Sequence, residues 1–557
     1  MKHFIRIVLI VFTVCNFLNT EAQVMVSTDL SSKAYKKEPV PNIWNVVNRI
    51  SPKNGVSVMQ GVDVNIVRMV GGILKKVNGK RVPNYEYDPC RYDSINNKYI
   101  YNWKPLLMRI HKVKRSKTKI FQLVLDQPCW AFQHGYNFTP DDQPYNGVDF
   151  KESERVSIYG NSLPPKDKEA YYTFIHDMME VLIRAFGEEE VLSWRFRVGS
   201  EIETPDHWWG TKEDFIHHFA NTEKAIRSVL KDAKIGLHTR TPDFIYKKGR
   251  VKNYKGEPFA SFASGLIEYC FDNNIRYDFW GVSDYVIINN SRPINLSHKY
   301  EELFEPLTSN PKWQKGTLLD VMEYTPVVSI KGRGFLKAAT IHSQIVDLAF
   351  SHMFYKKQNE GLGKIYRWGM RKKWKNTGVI AELESLIGYD RYETNITGSA
   401  HVKGNLVDAL FTKINTKNFD AIVYSYNDTD LKHKKAEAVK LVINTKLPVG
   451  ATLTYKKAIY SKDQNKFESF LKNEPKSGWF KPKKNRRGEP EKVLNKAGLK
   501  AWEAYKHKTP YAYSKKTEVV TVPRLDNGKG SCVVIDVNLP SFSYVKFKFR
   551  TKKNWNK

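Results

Sequence analysis

The chain has 557 residues, a formal net charge of +32, 41% hydrophobic residues and 13% aromatic residues. It is too long for one ordinary domain and too apolar for a disordered chain, so a large domain with a smaller companion is expected. No internal stretch is long and apolar enough for a membrane helix, and the basic balance implies either a polyanionic partner or a heavily solvated lysine surface.

Residues 1–22 have the layout of a secretory signal. Lys2, His3 and Arg6 precede a short apolar run from Ile7 to Phe17, and Thr20-Glu-Ala22 supplies small residues ahead of Gln23. The protein is therefore expected to be secreted or periplasmic. Export directs the charge away from nucleic acid and towards a sulfated or uronate-rich polysaccharide or an anionic envelope surface. A lipid anchor at Cys15 is not expected, because Phe12-Thr-Val14 lacks a small residue just before it. The remaining cysteines, Cys90, Cys129, Cys270 and Cys532, are scattered without metal-ligand spacing, and neither metal nor cofactor is expected. A Cys90–Cys129 disulfide and four free buried thiols are both compatible with the sequence.

After a polar, irregular segment over residues 23–40, short strands are expected at 42–47 and 63–70, the second ending at Gly71-Gly72. A helix from Trp103 to Val113 and a strand at 118–126 follow. A long aromatic loop runs from Trp130 to Asn161, long enough to expect a functional role such as a substrate wall. Tyr171, Phe174, Ile175, Met178, Leu182 and Phe186 then recur at helical spacing, and Gly187 stops that helix. Trp194, Phe196 and Val198 alternate with Arg195, Arg197 and Gly199, the period of a strand. A helix capped by Thr211 comes next, then strands at 234–239, 277–285, 318–324 and 364–368, with helices between. Alternating strands and helices make residues 23–395 a (β/α)8 TIM barrel. Residues 396–557 change texture to alternating strands at 406–413, 420–426, 438–443, 451–455, 517–522 and 544–549, the pattern of an antiparallel β-sandwich domain. Within it, the basic and aromatic segment 476–487 reads equally as a solvated loop or as a patch for sulfate or carboxylate groups.

Two carboxylates stand where barrel chemistry sits, at the C-terminal ends of strands: Glu201 after the fourth and Glu323 on the seventh. Such a pair suits a retaining glycosidase. One carboxyl protonates the leaving oxygen and the other attacks the anomeric carbon, with roughly 5 Å between them. Glu203 is an alternative acid, and either glutamate is also compatible with a buried structural role.

Asn161-Ser-Leu-Pro-Pro-Lys-Asp-Lys-Glu169, Phe186-Gly-Glu-Glu-Glu-Val-Leu-Ser-Trp-Arg-Phe196, Ser200-Glu201, the Ala225-Ile-Arg helix, Asn273-Asn-Ile-Arg-Tyr-Asp-Phe279 and Met322-Glu-Tyr324 occur in an order that resembles glycoside hydrolase family 39. That family includes β-xylosidases and α-L-iduronidases. The resemblance covers most of the barrel, and a β-sandwich after the barrel fits it too. It implies Glu201 as acid/base and Glu323 as nucleophile. It also implies that Arg68 on the second strand and Tyr285 at the end of the sixth contact the nucleophile, although both are compatible with simple packing.

The pattern breaks around the first sugar ring. Ser200 and Ile202 stand where the family has Asn and Pro, and Val70 and Ser283 where it has His. These changes imply a different glycon. Arg240 after the fifth strand and Arg367 on the eighth are expected to bind sulfate or carboxylate, since guanidinium groups pair with such oxyanions bidentately. Trp368 beside Arg367, and His207 and Trp208 past the acid/base, are expected in the substrate site, with Trp208 and Trp209 stacking on a sugar face or else packing in the core. The expected partner is an anionic polysaccharide or oligosaccharide, such as an algal galactan or ulvan. A non-catalytic polysaccharide-binding protein, a surface adhesin and a β-xylosidase or α-L-iduronidase-type exo-enzyme are the competing readings.

Overall fold

The computed structural model describes residues 24–30, 37–46, 66–68, 70–78, 80–115, 122–137, 160–205, 207–240, 252–288, 294–328, 340–367, 379–398, 400, 404–415, 418–428, 435–445, 447, 449–450, 452–462, 470, 478–484, 490–508, 518–521 and 531–550. Residues 1–22, expected as a signal, lie outside these. Eight strands form one parallel sheet: Trp44–Val46 (β1), Ile66–Arg68 (β2), Gln122–Leu125 (β3), Arg195–Val198 (β4), Lys234–His238 (β5), Phe279–Asp284 (β6), Leu318–Tyr324 (β7) and Leu362–Arg367 (β8). Their hydrogen-bonded order is β1-β8-β7-β6-β5-β4-β3-β2, which is chain order read around a ring.

Side-chain contacts show that this sheet is rolled up. Strands β3 and β8 are five steps apart in the sheet, roughly 24 Å if it were flat. Yet the Tyr366 hydroxyl donates to Gln122 Oε1 at 3.3 Å, and Arg195 on β4 meets Asp320 on β7 at 2.5 Å. These contacts exist only if one face is turned inward. Val124, Phe279, Met322 and Tyr366 fill that interior as a cluster of their own, so the barrel is packed rather than hollow.

The helices on the outer face are Lys104–Arg115 (α1), Lys168–Phe186 (α2), Lys212–Val229 (α3), Ala263–Asp272 (α4), Lys299–Thr308 (α5) and Ile341–Lys356 (α6). Their starts are written locally. Asp167 accepts from the Ala170 amide to cap α2, and Thr211 with Asp214 forms a capping box on α3. Gly187 ends α2 at φ 87°, a conformation that favours glycine.

Two further sheets hold the C-terminal part. One has seven antiparallel strands in the order Lys37–Pro39, Asp390–Tyr392, Asn405–Asn415, Asn418–Asn427, Ser543–Arg550, Thr452–Tyr460 and Glu518–Thr521. The other orders Asn395–Thr397, Val24–Asp29, Ala436–Thr445 and Ser531–Pro540. Val26, Leu441 and Val533 of the smaller sheet share one core with Phe411, Val423 and Phe547 of the larger.

Here the expected domain boundaries are corrected. Val24–Asp29 is not part of a polar lead-in to the barrel. It pairs in parallel with Ala436–Thr445 and antiparallel with Asn395–Thr397, burying Val24, Val26 and Thr28. Lys37–Pro39 and Asp390–Tyr392 likewise belong to the larger sheet. The parallel pair also means that the smaller sheet is mixed rather than purely antiparallel. Ser531–Pro540 was not anticipated as a strand, nor was the hairpin of Phe480–Lys484 and Pro490–Leu494. In that hairpin Trp479 stacks on Phe470, with ring centroids 4.6 Å apart, so the aromatic part of the basic segment serves a small core of its own.

The outer face of the larger sheet packs against α6. His352 Nδ1 lies 3.0 Å from the Tyr424 hydroxyl and 3.4 Å from Asp408, and Lys356 pairs with the same carboxylate. Cys90, Cys129, Cys270 and Cys532 are all buried thiols outside any disulfide, so a Cys90–Cys129 bridge does not form. Among the described residues no helix is long and apolar enough to cross a membrane.

Candidate active site

The inward face of the barrel follows from strand alternation. On β7, Asp320 and Met322 point inward, while Val321 joins the helix-side core. Strict alternation would then send Glu323 outward. A register shift against β6 between Val282 and Ser283 pairs Ser283 with Glu323 instead of Met322. That bulge resets the phase, the usual way a bulge re-aims a side chain. Tyr324 now faces out and stacks on Phe350 of α6 at 4.2 Å. Glu323 faces the mouth, 6% exposed, and its Oε2 accepts from the Tyr285 hydroxyl at 2.5 Å.

Glu201 is placed by a different device. Strand β4 ends in Gly199 at φ 75°, and Glu201 itself sits at φ 44°. For a residue with a Cβ, the left-handed region costs roughly 1–2 kcal/mol. Local contacts hold it there. The Glu201 carbonyl accepts from the Thr204 amide at 2.7 Å, and the Ile202 amide donates to His238 O at 3.2 Å on β5. A Cβ on Gly199 would meet Ile202 Cγ2 at 2.4 Å, so the buried Ile202 side chain fills the space that glycine leaves. Ser200 is buried beneath, its hydroxyl accepting from Arg197 Nη2 at 3.2 Å. Glu201 is left half-buried at the rim.

Glu203 is built as a brace. Its two carboxylate oxygens accept from the Arg240 amide at 2.7 Å and the Phe262 amide at 3.1 Å. Burial pushes its pKa up to about 7, against the pull of those amides and of Arg240. With both oxygens engaged, it holds the β4 and β5 loops together, a role that sets it apart from Glu201.

Other sequence-predicted residues separate. Arg240 is half-buried at the rim, its Nη1 3.5 Å from Thr204 Oγ1. His207 is buried in the same loop, its amide donating to Thr204 O. Arg68 ends β2 in register with Val124. Trp368 lies outside the described residues.

Two expectations are overturned. Arg367 follows the inward-facing Tyr366 and so points outward, 3% exposed, with Nε 3.3 Å from Asp347 of α6 and Nη1 donating to Thr325. It neutralises an internal carboxylate rather than meeting a substrate oxyanion. Trp208 is only 2% exposed, edge-on to Phe215 and tilted against His218, with its indole donating to Thr211 O. It packs the start of α3 and offers no face to a sugar. His238 was not singled out from the sequence. It ends β5 with Nε2 2.9 Å from the Ser283 hydroxyl, next to Glu323, and its inward parity on β5 was the available signal.

Comparison with known proteins bears on the family and the fold. The sequence profile of Glycosyl hydrolases family 39 matches residues 151–302. The chain is 30% identical over 460 residues to an α-1,4-L-rhamnosidase of Formosa agariphila, covering 82% of this chain and 88% of that one. This chain belongs to glycosyl hydrolases family 39. It is therefore a glycoside hydrolase, and the family works with retention of configuration. A β-xylosidase of Caldicellulosiruptor saccharolyticus is 32% identical over 127 residues, 23% of this chain and 22% of that one. Among solved structures, a family 39 enzyme from Xanthomonas axonopodis pv. citri superposes with a TM-score of 0.59 at 14% identity, covering 96% of this chain and 98% of that one. A monomeric β-xylosidase from Caulobacter crescentus gives 0.58 at 12% identity, covering 95% and 99%. These two bear on the fold, and they fit the TIM barrel deduced from the cross-barrel contacts.

Proposed function

We propose that this family 39 member is an exported retaining α-L-rhamnosidase that cleaves rhamnosidic bonds in an anionic polysaccharide or its oligosaccharides, with Glu201 as acid/base and Glu323 as nucleophile. The observation that carries the glycon is the identity with an α-1,4-L-rhamnosidase along 82% of the chain, barrel and C-terminal sheets together. The altered positions Ser200, Val70 and Ser283 support a glycon other than xylose. Ser200 is turned onto Arg197 and Ser283 onto His238, while Val70 is a buried apolar side chain. The net charge of +32 and the signal-like residues 1–22 support an anionic substrate met outside the cytoplasm. The two C-terminal sheets and their shared core read as a sandwich-type accessory domain.

In this mechanism the Tyr285 hydroxyl holds Glu323 oriented and favours its ionised form, as hydrogen bonding to a carboxylate does. Glu323 attacks the anomeric carbon while Glu201 gives its proton to the leaving oxygen. Glu201 then takes a proton from water as the glycosyl–enzyme ester is hydrolysed. The test is hydrolysis of rhamnose-bearing anionic oligosaccharides beside neutral xylosides, with the first-formed anomer followed by NMR. Release of rhamnose with retained configuration, lost in Glu201→Gln and Glu323→Gln, is expected. Efficient cleavage of neutral xylosides with no action on rhamnosides would overturn the glycon, and binding without turnover in the unmodified protein would make it a binding module.

A further inference from the structure

Beside the loop that carries Glu201, a cleft of about 220 Å³ opens between the loop after β3, the start of α2, α3 and the turn around Tyr254. Its walls are two tyrosines. Tyr136 and Tyr254 meet edge to face with ring centroids 5.7 Å apart. The Tyr254 hydroxyl is hydrogen-bonded to Asp214, the residue that closes the α3 capping box, so the ring is fixed by helix-capping chemistry. Lys166 and Lys168 line the same cleft, Lys166 with its ammonium 5.0 Å from the Tyr136 ring centroid. Both lysines are exposed, and neither makes an ion pair among the described residues. Asn221 and His217 add polar edges.

The cleft is tied to the catalytic loop by backbone. The Tyr254 amide donates to Trp209 O at 3.1 Å, and the Trp209 amide donates to Ser162 O at 2.7 Å, which leads into Pro164-Pro165-Lys166. An acid that protonates the leaving oxygen stands on the leaving-group side of the scissile bond, and the cleft adjoins the loop that carries Glu201 through these backbone hydrogen bonds. We infer that the cleft is a remote leaving-group-side subsite, in which Tyr136 and Tyr254 hold a pyranose ring and Lys166 and Lys168 pair with its carboxylate or sulfate group. The inference rests on the proposed assignment of Glu201. It makes the enzyme selective for charged chains over short neutral glycosides, through groups that never touch the reacting bond. Aromatic walls with a few convergent polar groups are what small-ligand sites require, and an ammonium serves as a point charge for either anion.

The test uses the full chain. Glu323→Gln protein, which does not turn over, is titrated calorimetrically with size-matched oligosaccharides: a sulfated galactan, a uronate oligomer and a neutral xylo-oligomer. The sulfated and uronate arms distinguish the two anions. Replacing both lysines by Ala is expected to weaken anionic binding about tenfold, the loss of two solvent-exposed charge contacts, and to leave the neutral oligomer unaffected. Replacing both tyrosines by Ala is expected to weaken all ligands that bind. In the active background, the same changes raise KM for the anionic oligosaccharide and leave kcat/KM for a small aryl glycoside unchanged, which also reports correct folding. Unaltered isotherms in both double variants, no preference for anionic ligands, or no binding at all would overturn the subsite. A protein that binds through the cleft but cleaves no rhamnoside would retain the subsite and refute the proposed glycon instead.

Discussion

Replacing Glu203 by Gln separates the two neighbouring glutamates by different readouts. In the folded protein both Glu203 oxygens accept backbone N–H groups, from Arg240 and Phe262. Glutamine keeps the shape but offers one oxygen and one NH2, so one buried amide faces a donor. An unsatisfied buried donor costs about 1–3 kcal/mol. Part of that loss is offset near neutral pH, because the carboxyl, with a pKa of about 7, is costly to keep ionised in its buried site. A net destabilisation of about 1–2 kcal/mol is expected, read as a drop of a few degrees in melting temperature. Activity of the folded Glu203→Gln enzyme should stay within about tenfold of the parent. Glu201→Gln should instead keep its melting temperature and lose about 10²–10⁴-fold in rate. That loss should shrink on glycosides whose leaving group departs without a proton. Calorimetric melts and steady-state rates on a poor and a good leaving group check both variants. If Glu203→Gln abolished turnover at an unchanged melting temperature, the brace would be the acid and the assignment of Glu201 would fall.

Tyr285→Phe removes a hydroxyl that donates to Glu323, and a hydrogen bond to a charged group contributes about 1.5–3 kcal/mol, so kcat/KM should fall about 10- to 100-fold. A Tyr285→Phe enzyme with kcat/KM within about twofold of the parent would refute the orienting role proposed for this hydroxyl. Asp320→Asn leaves the buried Arg195 guanidinium uncompensated inside the barrel and should cost about 3–5 kcal/mol in denaturant unfolding. His218 is buried and its pKa is lowered by burial to about 3. The unfolded chain therefore binds more protons between about pH 6.5 and 3. Stability from this group is complete above pH 6.5 and is lost as pH falls through that window, by about 4–5 kcal/mol at full extent. His218→Gln should flatten that part of the stability profile; an unchanged slope would contradict it.

Much of the barrel was legible because short, largely apolar strands recur between helical patterns, and because Asp167, Thr211 and Gly187 mark helix ends within a few residues. The two carboxylates were legible as strand-end residues. Their aim was not. Glu323 faces the mouth because of a bulge, and a bulge is a property of the pairing between β7 and β6, not of either strand alone. Arg367 misled for a related reason. Its charge suggested a ligand, but parity with Tyr366 sends it to Asp347, which sits on the preceding helix. Trp208 looked like a sugar platform because aromatic residues beside an acid carry no mark of burial until α3 is folded over them.

The strand Val24–Asp29 carries a consequence for synthesis and folding. Its neighbours, Asn395–Thr397 and Ala436–Thr445, are made hundreds of residues later. A nascent chain that still lacks residues 395–445 has no sheet for this apolar strand to join. Closing such a long loop is slow relative to local pairing. Fragments ending before residue 436 would lack the parallel neighbour of Val24–Asp29 and expose Val24 and Val26, so a cut between the barrel and the C-terminal sheets is expected to leave an apolar strand without its core.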